Sequence, residues 1–436
     1  MAAPFARRGL RRRVLTVAGA GTIAALALAG CSASDGGSGS SDASSGDEPV
    51  TITFMEAMSS GSLQTALADA TDRFEEANPR VTVELVEQPD YGTLQTKIEA
   101  EVSAGNAPTI AQMYPGWAVP LVEAGALESL DDRVAGSDEY DGFYEGIKSS
   151  MTLEDGTNWM WPFNKSLYVQ YYNTDMVSEA PTTWDDFGTV ARDVSKDGVV
   201  ALSVDPGGSG GMGAGTQLVD ILAQSNGGAT FDDTGAPTFT DPAVVDALQY
   251  FVDMQSDGAL ATGTNYPGQV ALGAETGAFD LSTVAGYTYE LDAVGDKFDL
   301  GVAPLPEGSA GAANSLSGTN IGMFSSASDA EKDAAWSYME FLTSPAEMGA
   351  WAAATGYLPI SADAMNDDSY ADYLAENPWV SGVIEQLDTA TEPVPQSWTS
   401  EAQGYLAAAV SEALAGSATP EDALASAQAS AEALVK

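Results

Sequence analysis

Between residues 50 and 114 the spacing of apolar side chains switches repeatedly between two periods, and this alternation constrains the fold more than any other feature of the chain. Ile52 and Phe54 alternate with Thr51 and Thr53, the period of a half-buried strand. Leu63, Ala66, Leu67, Ala70 and Phe74 then recur at helical spacing until Asn78-Pro79 stops the run. Val81, Val83 and Leu85 return to alternation, a helix is expected from Thr93 to Ala104 with Gly105 behind it, and Ile110 to Tyr114 reads as a third strand. Strands alternating with helices predict an α/β fold around a mostly parallel sheet covered on both faces. Ligands of such sheets sit at the carboxyl ends of strands, which favours Met58, Ser59 and Ser60, or Tyr114 and Trp117.

The later chain is richer in helices, expected over 242–256, 329–342, 401–415 and from Thr419 onward. Thr419 can cap the last of these, Pro420 suits its first turn, and Glu421 and Asp422 favour the positive end of its dipole. Thr183 followed by Asp186 starts another helix in the same way. A chain of this length can bury a large core and suggests two domains.

Ahead of the first strand, Arg7, Arg8, Arg11, Arg12 and Arg13 precede an apolar stretch from Val14 to Ala29, the layout of an export signal at residues 1–30. The stretch is short of the roughly 20 apolar residues that a spanning helix needs. It ends in Leu28-Ala29-Gly30-Cys31, which resembles the bacterial lipobox and implies cleavage before Cys31 with lipid added to its thiol. Residues 31–48 are almost wholly Ser, Gly, Asp and Ala and read as a flexible tether. The chain is thus expected on the outer face of a cell membrane, held there by its lipid.

Cys31 is the only cysteine, so no intramolecular disulfide is possible. Histidine is absent, which removes serine–histidine and cysteine–histidine nucleophilic pairs and the usual zinc sites. No calcium loop is apparent, and neither metal nor cofactor is expected. Without its five signal arginines the chain keeps 11 of its 16 basic residues against 63 acidic ones, which makes nucleic acid an improbable partner. Gly208-Ser209-Gly210-Gly211-Met212-Gly213 has the spacing of a dinucleotide loop, but Pro206 separates it from the preceding strand and a turn feeding a helix explains it better. Adjacent acids such as Asp131-Asp132, Asp185-Asp186 and Asp232-Asp233 invite a glycoside hydrolase reading, yet chance alone supplies such pairs in so acidic a chain.

Several segments from Val50 to Val435 resemble, in order, the extracellular solute-binding proteins of ATP-driven importers for sugars and glycerol-phosphate compounds. They are Phe74-Glu75-Glu76-Ala77-Asn78-Pro79, Val169 to Asp175 followed by Pro181 to Phe187, Phe341-Leu342-Thr343-Ser344-Pro345, and Ala354-Thr355-Gly356-Tyr357-Leu358-Pro359. The resemblance implies a two-lobed, type II periplasmic-binding-protein-like fold that closes on a solute like a hinge and docks on a membrane permease. Lobe 1 would comprise 49–163 and 319–359 and lobe 2 would comprise 164–318 and 360–436, with crossings near Pro162-Phe163-Asn164, Ser317 to Thr319 and Leu358-Pro359. Such a carrier is a monomer without catalytic activity.

A sugar site needs flat aromatic rings plus amide, hydroxyl or carboxylate partners. Tyr91, Tyr114, Trp117, Phe163, Tyr357 and Trp398 are candidates for the rings, and Asn164 for an amide. Within the class the chain resembles binders of glycerol-3-phosphate and glycerophosphodiesters, whose ligand contacts fall on Tyr91, Ser166, Gly318 and Tyr357. Two expected contacts are missing: Pro115 stands where a glutamate is expected, and Gln403 where an arginine would grip phosphate. Glutamine supplies neither the charge nor the fork of donors, so a neutral sugar or oligosaccharide is favoured over a phosphodiester.

Overall fold

The structure is a computed structural model that describes residues 48–207 and 214–435. The export signal, Cys31, nearly all of the tether and the glycine-rich loop from Gly208 to Gly213 lie outside the described residues. Among the described residues there are ten strands: β1 (Val50–Glu56), β2 (Val81–Glu87), β3 (Ile110–Met113), β4 (Met160–Ser166), β5 (Tyr168–Asn173), β6 (Leu202–Val204), β7 (Leu260–Thr262), β8 (Phe279–Thr283), β9 (Leu300–Pro304) and β10 (Ser317–Met323). They form two five-stranded sheets, ordered β2-β1-β3-β10-β4 and β7-β6-β8-β5-β9.

The sheets are mixed rather than mostly parallel. In the first, β1 runs parallel to β2 and β3, and β10 runs against both of its neighbours. In the second, β6 is parallel to β7 and β8, while β5 runs against β8 and β9. Each sheet therefore has one reversed strand, and that strand is the one the chain enters from the other sheet. β4 leads into β5 through Leu167 alone, and β9 is followed by β10. Because the other strands of both sheets point their carboxyl ends at this crossing, a strand that enters there must run away from it.

Local sequence explains the helices. In Gly61–Ala77, Ala66, Leu67, Ala70 and Phe74 face the core, and the Asn78 side chain closes the end by donating to the Phe74 carbonyl at 3.0 Å. Tyr91–Ala104 starts two residues earlier than its pattern suggests, because Asp90 caps it by accepting from Thr93 N at 2.7 Å. Gly105 ends that helix in the left-handed region, at φ 76°. Pro115 cuts the third strand short at Met113 and leaves Tyr114 at the cap of the helix Pro115–Glu123.

Two large apolar cores result. Of the segment 360–436, the helices Thr399–Leu414 and Pro420–Leu434 pack on each other and on Pro242–Ser256 in the second core. Asp368–Glu376 instead packs on Pro345–Thr355 over the first sheet, where Tyr370 is fully buried. No described helix is long and apolar enough to cross a membrane.

Candidate functional site

The chain crossings lie side by side. Ser317, Gly318 and Thr319 pair with Ser166, Lys165 and Asn164, and Leu358 adds a bridge to Lys165 with its N–H donating to the Lys165 carbonyl at 2.9 Å. Gly318 has φ 104°, and a Cβ there would stand 1.9 Å from the Asn164 carbonyl oxygen, so the close approach of these strands requires glycine.

Polar side chains gather at the neighbouring strand ends of the first sheet. Asn164 and Gln112 are fully buried, and both reach Thr319. Asn164 Oδ1 accepts from the Thr319 backbone N–H at 3.1 Å and from its hydroxyl, and Gln112 Nε2 donates to Thr319 Oγ1 at 2.7 Å. Gln112 Oε1 accepts from Ala57 N at 2.9 Å. Both amides also point an N–H at the Tyr91 hydroxyl, each at 3.5 Å. Beyond Tyr91 an edge-to-face chain of rings continues to Tyr114 at 5.2 Å and from Tyr114 to Trp117 at 5.1 Å. Tyr357 stacks on Trp351 at 6.1 Å, and burial raises its hydroxyl pKa as it raises those of Tyr91 and Tyr114. These phenols stay neutral and offer both a donor and an acceptor.

Three charged groups border this cluster. Glu56 ends β1 with one carboxylate oxygen on Met58 N and the other without a partner among the described residues. Burial pushes its pKa up to about 7. Lys165 is entirely buried, and its ammonium has no hydrogen-bond partner among the described residues. Burial lowers its pKa against the opposing pull of Glu392, and burial raises that of Glu392 against the pull of Lys165.

The second lobe faces the cluster with loop and helix ends. Gly116, in the first turn of Pro115–Glu123, lies so close to Thr399–Leu414 that a Cβ on it would stand 3.8 Å from Ser400 Oγ. Gln396 Nε2 donates across the gap to Glu154 at 3.0 Å. Trp398 caps Thr399–Leu414 and packs on the edge of the second core, and Gln403 lies half-buried on the same helix.

Of the residues singled out in the sequence, Tyr91, Asn164, Gly318 and Tyr357 come together, with Tyr114 beside them. Ser166 is also at the crossing, but its hydroxyl accepts from Ala285 N at 3.1 Å and ties β4 to the segment after β8. Trp117 lines a groove on the flank of the first lobe with Ile98, Val102 and Leu121, touching the cluster through Tyr114. Phe163 has to be removed from the list. It is 2% exposed, edge-on to Phe54 at 5.9 Å and against Trp351 at 5.2 Å, because its position on β4 turns it into the first core. Gln112, Glu56 and Glu392 were missed. A lone acid closing the apolar run from Val50 was the available signal for Glu56, but Glu392 is brought in only by the fold.

The fold is similar to that of known proteins. UgpB of Mycobacterium tuberculosis, solved with glycerophosphocholine, superposes with a TM-score of 0.77 at 20% identity, covering 89% of this chain and 99% of that one. The cyclic α-maltosyl-1,6-maltose binding protein of Arthrobacter globiformis gives a TM-score of 0.77 at 23% identity, covering 89% and 99%. A maltotriose-binding protein of Pyrococcus abyssi is 24% identical over 296 residues, 66% of this chain and 62% of its own. Residues 69–377 match the family of bacterial extracellular solute-binding proteins, and with its two-lobed α/β fold the chain belongs to that family.

Proposed function

We propose that this protein is a lipid-anchored carrier that captures a neutral sugar or oligosaccharide between its lobes and delivers it to the permease of an ATP-driven importer. The observation that carries the ligand class is the balance of charge at the crossing. One buried ammonium, Lys165, is accompanied by the carboxyls of Glu56 and Glu392, and uncharged amides and phenols surround them. A phosphate needs an excess of cationic donors, whereas sugar hydroxyls both donate and accept and pair with such a mixture. Gln403, in the helix that faces the cleft, adds no charge to alter this. The half-buried rings of Tyr114 and Trp398 are the apolar surfaces that a sugar ring would cover.

The relatives named above bind ligands rather than transform them, and this chain is read as a carrier without catalytic activity. Domain closure on the ligand is how a permease would tell a loaded carrier from an empty one. Anchoring through Cys31 would keep the carrier near that permease. Titrating the mature protein with maltotriose and with glycerophosphocholine tests the reading. Stoichiometric binding and thermal stabilisation by the sugar alone support it; stabilisation by glycerophosphocholine alone, or turnover of the sugar, overturns it. Replacing Cys31 with Ala should release the protein from membranes or leave the signal uncleaved, and membrane retention after normal cleavage would count against the lipid.

A further inference from the structure

Lys165 is the one ammonium among the described residues that is both wholly buried and without a hydrogen-bond partner. Its backbone is held on both sides, by Gly318 of β10 and by Leu358, so the side chain starts from a fixed point at the crossing. Thr391 bridges Ser315 two residues ahead of β10, whose Gly318 pairs with Lys165, and this sets Glu392 at the same crossing, within electrostatic reach of Lys165. No hydrogen bond joins the two. Glu392 is held as firmly: Thr391 accepts from Leu316 N at 3.0 Å, donates its own N–H to Asn314 at 3.1 Å, and its hydroxyl reaches Gln224 at 2.8 Å, while Pro393 follows. Tyr114 lies near enough to Glu392 to feel its charge.

We propose that Lys165 and Glu392 grip one edge of a neutral polyol as a donor and an acceptor, and that Glu392 is the group that turns anionic ligands away. The inference rests on the carbohydrate reading above and assigns its selectivity to two residues. Adjacent sugar hydroxyls satisfy both groups at once: one oxygen accepts from the ammonium, and the neighbouring O–H donates to the carboxylate. A phosphate would satisfy Lys165 but would set its own charge against Glu392. A buried ammonium costs free energy until it is hydrogen-bonded, so the ligand that bonds it regains that cost on binding.

Binding calorimetry on the wild-type mature protein, Lys165→Met and Glu392→Gln, with maltose, maltotriose, sn-glycerol-3-phosphate and glycerophosphocholine as probes, tests this. Ligand-free melting temperatures serve as the folding control, and Lys165→Met should melt no lower than wild type because it removes an unpaired buried charge. The expected result is wild-type binding of at least one of the two sugars and of neither phosphate. Each variant should lose at least tenfold in sugar affinity, and Glu392→Gln should gain measurable affinity for sn-glycerol-3-phosphate. Sugar affinity unchanged in both variants overturns the pair and leaves the carbohydrate reading standing. Wild-type binding of a phosphate ester without either sugar, or of no probe, overturns both. Should Lys165→Met fail to fold, Glu392→Gln decides alone.

Discussion

The two lobes share a plan but are filled differently. The first sheet is packed with rings: Phe54 meets Phe163 at 5.9 Å and Tyr338 at 6.1 Å, and Trp161 meets Trp336 at 4.7 Å. The second buries Trp184, Phe187 and Phe279, but much of its helical cover is alanine, at 402, 409, 413, 423, 427 and 431. Small side chains let helices lie close, while interlocked rings hold strand ends in place. The polar cluster of Gln112, Asn164, Thr319 and Tyr91 is built on the ring-packed lobe, so it is preorganised. The other lobe brings Trp398 and Gln403 at a helix start, a part that can adjust as a ligand is enclosed.

The largest effect expected from breaking this contrast is at Gly318. Gly318→Ala must push a methyl into the Asn164 carbonyl at a positive φ, and denaturant unfolding should show a loss of about 4 kcal/mol or more. Its counterpart in the second sheet is milder. A Cβ on Gly301 would meet the ring of Tyr172, at 2.2 Å, and a side chain can swing away where a backbone cannot, so Gly301→Ala should cost clearly less than Gly318→Ala.

Next come the cores. Phe54→Ala and Phe187→Ala each remove a fully buried ring, and each should cost about 3–5 kcal/mol. Only Phe54→Ala should also weaken ligand binding, because only that core supports the polar cluster. Equal loss of affinity in both variants would refute the assignment of preorganisation to the first lobe.

A smaller effect separates the lobes by pH. Glu56 loses its proton at an ordinary pKa of 4.5 when unfolded but near 7 when folded. Between these values the folded state holds the extra proton, so stability falls as pH rises through this window and is level above it. In the second lobe Asp280 and Glu290 face each other, buried, and Gln269 donates to Glu290 at 3.0 Å. Burial raises both, and the charge of Asp280 pushes Glu290 further, to about 9, which carries the fall past neutrality. Melting curves from pH 4 to 9.5 should show Glu56→Gln flattening the slope below pH 7, and Glu290→Gln flattening the part above it.

The smallest expected effects are at helix caps. Ser328 and Glu331 form a reciprocal capping box on the first lobe, and Thr183 accepts from Asp186 N at 3.1 Å on the second. Alanine at Ser328 or Thr183 should cost about 1 kcal/mol in either lobe.

Much of this was legible in the sequence because it depends on near neighbours. The strands from Val50 and Val81, the helix Pro242–Ser256 and the caps at Thr183 and Thr419 all follow from spacing within a few residues. The mixed direction of the sheets was not, since only the crossing decides which strand is reversed. Phe163 shows the same limit: which face of β4 it occupies depends on the sheet around it and not on the aromatic residue itself. Lys165 and Glu392 are 227 positions apart, and no periodicity links them; only the crossing brings them together.

The strand order also governs the timing of assembly. β10 lies between β3 and β4, so the edge strand β4 has no partner in the first sheet until residues 317–323 have been synthesised. Until then its strands cannot complete their pairing, and the chain remains extendable while more than two-thirds of it is made. If the chain is exported unfolded, as its N-terminal sequence suggests, this late interior strand would act as a built-in delay, holding back the folded state until most of the chain is available for translocation.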